Sequence, residues 1–201
     1  MPSTSKPIAD SPLAAIPGTP LVDAGPVSRA FREAGFGTLR EAFGHVWRLP
    51  YGRNANPADP LAPLEEGRAT CSTKHALLAR LAAEQEFDVE LRTGVYLMRE
   101  ANTPGVGAVL GQHELDAIPE AHCYLVKDAK RLDFTRYEAV GDEPIDGFLH
   151  EEAIGPEQVG EYKRGVHQAF LARWAAQPAA RGLSAEALWE IREACIAALA
   201  E

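Results

Sequence analysis

The sequence predicts an α+β fold: one helix packed on a small antiparallel sheet, with further helices flanking it from both ends of the chain. Three observations carry this reading. Leu77, Leu78, Leu81 and Ala82 recur at helical spacing behind the small polar run from Thr70 to Lys74. Val89, Leu91, Thr93, Val95 and Leu97 alternate with Asp88, Glu90, Arg92, Gly94 and Tyr96, the period of a strand with one face on the core. Residues 122–126 and 131–135 read as two further strands joined in a hairpin about Asp128, and beyond Pro156 only helical patterns remain.

With 201 residues, 46% apolar and 24% charged, the chain can bury one sizeable core. The expected organisation is an extended arm over residues 1–26 and a single domain over 27–201, closed by a helical pair over 156–201. The arm carries Pro2, Pro7, Pro12, Pro17, Pro20 and Pro26 among Ser, Thr and Ala, a composition that neither continues a helix nor buries much. A net charge of −9 without any basic run argues against a nucleic-acid or anionic-membrane binder, because phosphate contacts need clustered Lys and Arg. Three cysteines make no disulfide framework, and no stretch has the pattern of a signal peptide or a membrane span. The expected location is therefore the cytoplasm.

Within the domain, residues 27–34 form a short helix closed by Gly35. Thr38 and Glu41 make a capping box for a helix that presents Leu39, Phe43, Val46 and Trp47 on one face. Residues 51–66, rich in Pro, Asn and Asp, are an irregular loop leading to Cys71. Residues 101–118 are mostly loop with one helical turn, long enough to shape a cleft before His122. Pro156 opens a helix through Tyr162, Val166, Phe170 and Trp174, and Ser184 caps a last one through Leu188, Ile191, Cys195 and Leu199.

Cys71 is the residue around which the candidate chemistry gathers. At a helix start, unpaired backbone N–H groups and the positive end of the dipole favour thiolate over thiol. His122 opens a strand and Asp133 lies in the next one, so Cys71, His122 and Asp133 supply a nucleophile, a base and an orienting carboxylate. With a turn about Asp128 and Ala129, residues whose numbers sum to about 256 or 257 pair, which sets Asp133 beside the partner of His122. Each residue also has an ordinary reading: Cys71 as a small buried hydrophobe, His122 as a half-buried strand histidine, Asp133 as one end of a salt bridge to Arg131 or Lys130. The polar neighbours of Cys71 do not look like a core. A zinc site from Cys71, His75, His122 and Cys123 is the rival arrangement, but adjacent strand residues point to opposite faces, which separates His122 from Cys123. His75 is expected beside the site or against the sheet, and Cys195 in the core.

The stretch from about Gly67 to Thr135 resembles the transglutaminase-like cysteine enzymes of the papain-like superclass. Small residues and Cys71 open an apolar helix, a strand follows, a further strand opens with His122, and the next carries Asp133-Phe134-Thr135 where the family often has Asp-Pro-Thr. Tyr124 matches an aromatic two residues after the histidine, whereas Cys123 is a departure. The resemblance implies a transglutaminase-like core, a Cys71–His122–Asp133 triad and no cofactor or metal. It also implies an oxyanion donor from the N-terminal side, Trp47 or Asn54, beside the Cys71 backbone N–H. Trp47 reads equally as part of its helix's apolar face, and Asn54 as a turn residue. The implied activity is acyl transfer on an amide or ester through a thioester, of the protease, deamidase or transglutaminase type. The substrate would be a peptide, a protein or a small amide or ester. The alternative is a non-catalytic peptide- or protein-binding module on the same fold.

Overall fold

A computed structural model describes residues 11–137 and 143–200. Its helices are α1 (Pro26–Glu33), α2 (Leu39–Arg48), α3 (Ala62–Glu66), α4 (Cys71–Glu84), α5 (Gly107–Gln112), α6 (Glu161–Trp174) and α7 (Ala185–Ala198). Its strands are β1 (Glu90–Met98), β2 (Ile118–Lys127), β3 (Lys130–Leu132) and β4 (His150–Ala153). The fold is mixed α+β, with a four-stranded antiparallel sheet in the order β3-β2-β1-β4.

Local chemistry places the ends of these elements. Gly35 closes α1 at φ 92, a conformation that costs glycine little. Thr38 accepts the Glu41 N–H while the Glu41 carboxylate accepts the Thr38 N–H, so α2 begins in the reciprocal box its sequence announces. The β2–β3 hairpin turns through Asp128 (φ 48) and Ala129 (φ 60). Two positive φ values in a two-residue loop match the right-handed twist of the flanking strands, and the register that follows pairs Lys127 with Lys130 and Leu125 with Leu132.

Alternate positions of the sheet serve two apolar clusters. Leu91, Cys123 and Leu125 pack with α1, α2 and α4, whereas Tyr96, Met98 and Ile118 pack with α5, α6 and α7. The middle of β1 is thus covered on both sides, not on the one side its alternation suggests. Gly94 lies directly under the Phe148 ring, which stacks on Tyr124.

Four further expectations change. Of the proline-rich arm, residues 1–10 lie outside the described residues, but 11–25 do not run as a free extended segment. Pro12–Ala15 makes a 3-10 turn, and Ile16 and Leu21 enter the core beside α2 and α4. The 51–66 loop ends in the short helix α3, whose last residue hands over to Gly67 at φ 64. β4 was hidden because His150, Glu151, Glu152 and Ala153 have no apolar alternation; it is a short edge strand on β1. The helix expected from Pro156 splits into a 3-10 turn, Pro156–Val159, and α6, and the buried face of α6 is Lys163, His167, Leu171 and Trp174. Tyr162, which the apolar spacing put inside, is 44% exposed.

Candidate active site

Thr70 caps α4, accepting the Thr73 N–H, and Cys71 is the first helical residue. No acceptor is found for the Cys71 N–H among the described residues, as expected where the helix cannot yet supply a carbonyl four residues back. Cys71 is 5% exposed, and the His122 imidazole is near enough to favour its thiolate.

His122 pairs across β1–β2 with Gly94, which has no side chain to crowd the ring. Its Nε2 donates to Asp133 Oδ2 at 2.6 Å, so Nδ1 is the nitrogen left for the thiol. Asp133 follows the end of β3. Its other oxygen accepts the Thr135 N–H at 2.9 Å, a tight local turn that fixes the carboxylate. Cys71, His122 and Asp133 are therefore brought together; the hairpin register sums to 257, one of the two values the spacing allows, and its ladder stops at Leu132, one residue before Asp133.

The electrostatics favour a thiolate and an imidazolium. Burial alone would push the Cys71 thiol up. The nearby Lys163 charge, then His122 and the Cys123 backbone N–H, outweigh it and hold the thiol at about 6. Burial would likewise disfavour charge on His122, but the Asp133 carboxylate, then the thiol, raise it to about 10. Asp133, against burial, is held far below the usual carboxylate range by His122. The other two thiols go the opposite way: burial raises both Cys123 and Cys195 to about 11.

Lys163 is a candidate site residue that sequence spacing missed. It reaches from α6, 6% exposed, and its Nζ donates to Ser72 Oγ at 2.8 Å while lying 3.9 Å from Cys71 Sγ. Burial opposes its charge, yet Cys123, Cys71 and Glu120 outweigh burial and raise its pKa. The signal that could have found it is Lys163 and His167 at i and i+4, two polar residues sharing one side of a helix with Leu171.

Of the oxyanion candidates from the N-terminal side, Trp47 has its one donor engaged and Asn54 has one of its two amide N–H groups engaged. The single indole N–H of Trp47 donates to Arg136 O at 3.1 Å, and its ring packs on Phe134 and Tyr137 away from the cleft. Asn54 lines the cleft, but its Nδ2 donates to Arg68 O and its Oδ1 accepts the Thr73 hydroxyl, each at 2.8 Å. It braces the loop against the helix start. In the zinc rival, His75 has no lone pair to offer. Phe134 N–H donates to Nε2 at 2.9 Å, so Nδ1 carries the proton and donates to Cys71 O at 2.8 Å. Burial holds His75 down to about 4, a neutral ring. Cys123 Sγ rests on Ser72 Oγ at 3.8 Å.

A cleft of about 350 Å³ opens from Cys71 between the helix start, the 51–57 loop, α6 and α7. His122 and Asp133 stand behind the thiol and do not line it. Among the described residues no helix is long and apolar enough to cross a membrane. No family model matches the chain, and no curated protein or solved structure does.

Proposed function

We propose that the chain is a cysteine-dependent acyl-transfer enzyme of transglutaminase-like, papain-like type, acting on an amide or ester through a thioester on Cys71. The observation that carries the reading is the arrangement around Cys71, the first residue of a capped helix, 3.9 Å from the Lys163 ammonium and beside a His122 that donates to Asp133 at 2.6 Å; of the three buried thiols it alone is held low.

The reaction starts from the Cys71 thiolate and the protonated His122. The thiolate attacks the carbonyl carbon, and the developing oxyanion meets the unpaired Cys71 N–H and the Lys163 ammonium. His122 gives the Nδ1 proton to the leaving amine or alcohol as the C–N or C–O bond breaks, leaving the thioester. Water or an amine then attacks, His122 takes its proton, and the thiolate departs with the C–S bond. Asp133 keeps the Nε2 proton in place and stabilises the imidazolium without becoming the base.

The test is alkylation by iodoacetamide below neutral pH and, on a separate unalkylated sample, incubation with a 4-nitrophenyl ester. Fast labelling confined to Cys71, and an acyl mass on Cys71 that disappears in Cys71→Ala, support the proposal. Slow, equal labelling of Cys71, Cys123 and Cys195 would point instead to a non-catalytic binding module.

A further inference from the structure

The charges around the cleft do not cancel. Four cations line it: Arg53, Lys163, Arg164 and Arg192. Glu193 pairs with Arg53 and with Arg192, each at 2.6 Å, and Glu120 holds Arg192 in a two-pronged pair at 2.6 and 2.7 Å. His167 Nε2 meets Pro119 O, and burial lowers its pKa, so it adds no positive charge at neutral pH. Lys163 and Arg164 remain, with no carboxylate within ion-pair distance among the described residues. This excess sits in a chain whose net charge is −9, so it is a local feature of the cleft and not a general property of the surface.

The thioester chemistry sharpens the point. In the resting state the Cys71 thiolate is the counter-ion of Lys163, 3.9 Å away. Once Cys71 is acylated the sulfur is neutral, and the buried ammonium keeps the Ser72 hydroxyl as its hydrogen-bond partner and, beyond ion-pair distance, only a Glu120 already paired with Arg192. A buried charge without a counter-ion is costly, and an anionic group carried by the acyl chain would remove that cost. The cleft volume lies near the lower end of the roughly 300–1,000 Å³ that small-molecule sites span.

We infer that the acyl donor is a small compound bearing a carboxylate, which Lys163 at the floor and Arg164 at the mouth of the cleft receive. This rests on the thioester reading of Cys71 and adds to it the chemical class of the substrate.

Two probes of nearly equal size separate charge from shape: glutarate and its diamide, glutaramide. Each is titrated against the rate at which neutral iodoacetamide labels Cys71 in the full chain, and binding is read in parallel by calorimetry. Glutarate is expected to protect Cys71 saturably at concentrations about tenfold or more below those glutaramide needs, because in the resting state Lys163 is paired with the thiolate and Arg164 is the cation open to a charge-assisted hydrogen bond. In Arg164→Gln the two probes should converge. Equal protection by both, or protection by neither while Cys71 still labels fast at low pH, overturns the carboxylate inference and leaves the thioester chemistry standing. If Cys71 labels slowly the thioester reading falls, and calorimetry still decides whether the cleft prefers the dicarboxylate.

Discussion

Replacing Lys163 by Met removes one positive charge 3.9 Å from the Cys71 sulfur while keeping an unbranched side chain of similar length. At an effective dielectric constant of about 20, opposite unit charges at that distance attract by about 4 kcal/mol. At 1.36 kcal/mol per pKa unit this is worth about three units. Because His122 still holds the thiolate, the titration midpoint of Cys71 should rise by about two to three pH units from its value near 6. A thiol that is about 90% ionised at pH 7 would then be about 1–9% ionised, and the rate at that pH should fall about 10- to 90-fold. The assay is the pH dependence of iodoacetamide labelling of Cys71, read by mass spectrometry, with Lys163→Arg as the variant that should restore a low midpoint. Circular dichroism establishes that each variant is folded. A midpoint that stays near 6 in a folded Lys163→Met protein would refute the reasoning, since the thiol would then owe its acidity to His122 and the helix start alone.

Asp133→Asn should leave circular dichroism unchanged and lower kcat/KM for a nitrophenyl ester by up to about 10⁴-fold, because Nε2 loses its charged partner. Unchanged turnover would remove Asp133 from the mechanism. Lys74→Met should leave the carbonyls of Trp47, Leu49 and Thr135 without the buried ammonium that donates to all three. At about 1–3 kcal/mol for each unsatisfied group, Tm should drop by roughly 10 °C. Cys123→Ser and Cys195→Ser should keep both the activity and the low-pH labelling of Cys71; loss of labelling in Cys123→Ser would name the wrong nucleophile. Stability against pH supplies a signed test. His122 is raised to about 10, so its contribution is complete below about 6.5 and is lost as pH rises toward 10. Cys71 is lowered to about 6, so its contribution is present above about 8.5 and is lost as pH falls toward 6. The two slopes oppose each other in between, and Tm should be nearly flat there. In Cys71→Ala only the His122 slope remains, and Tm should fall as pH rises from 6.5; a flat profile in that variant would deny His122 its raised pKa.

The residues that sequence located most directly are those governed by local rules. Cys71 follows from a capped helix start, and the β2–β3 hairpin from a two-residue turn whose register sums to 257; Asp133 lies one residue past that ladder, where the register sets it opposite Tyr124, and it reaches His122 from there. Lys163 escaped because helix phase was read from apolar residues. Tyr162, Val166 and Phe170 recur at helical spacing, but the face that enters the structure is one residue on, where Lys163 and His167 meet the polar cleft instead of a core. The sheet edge escaped for a related reason, since His150 to Ala153 pair with β1 through the backbone and bury almost no side chain. Ile16 and Leu21 were overlooked in the opposite sense. Two apolar residues in a proline-rich stretch give no period, yet each finds a place against α2 and α4. Trp47 and Asn54 sit where their helix and loop put them, but what their N–H groups bond to is a matter of tertiary contact that no spacing reports.

The first turn of α4 explains why the thiol is held so firmly. In a helix each residue is rotated about 100° from the last, so five consecutive side chains cover every direction around the axis. Ser72 receives Lys163 from α6, Thr73 reaches the Asn54 loop, Lys74 ties down the end of α2 and the segment after β3, and His75 takes the Phe134 N–H. Phe134 and Thr135 adjoin Asp133, so the contacts that anchor the nucleophile helix also anchor the carboxylate that orients the base. Cys71, His122 and Asp133 therefore belong to one braced unit and need no moving part to come into register. From Cys71 the unit opens on the cleft between the 51–57 loop, α6 and α7. Lys163 and Arg164 line that cleft and the hairpin behind the thiol does not, so on the proposed chemistry an acyl donor would be selected by that wall.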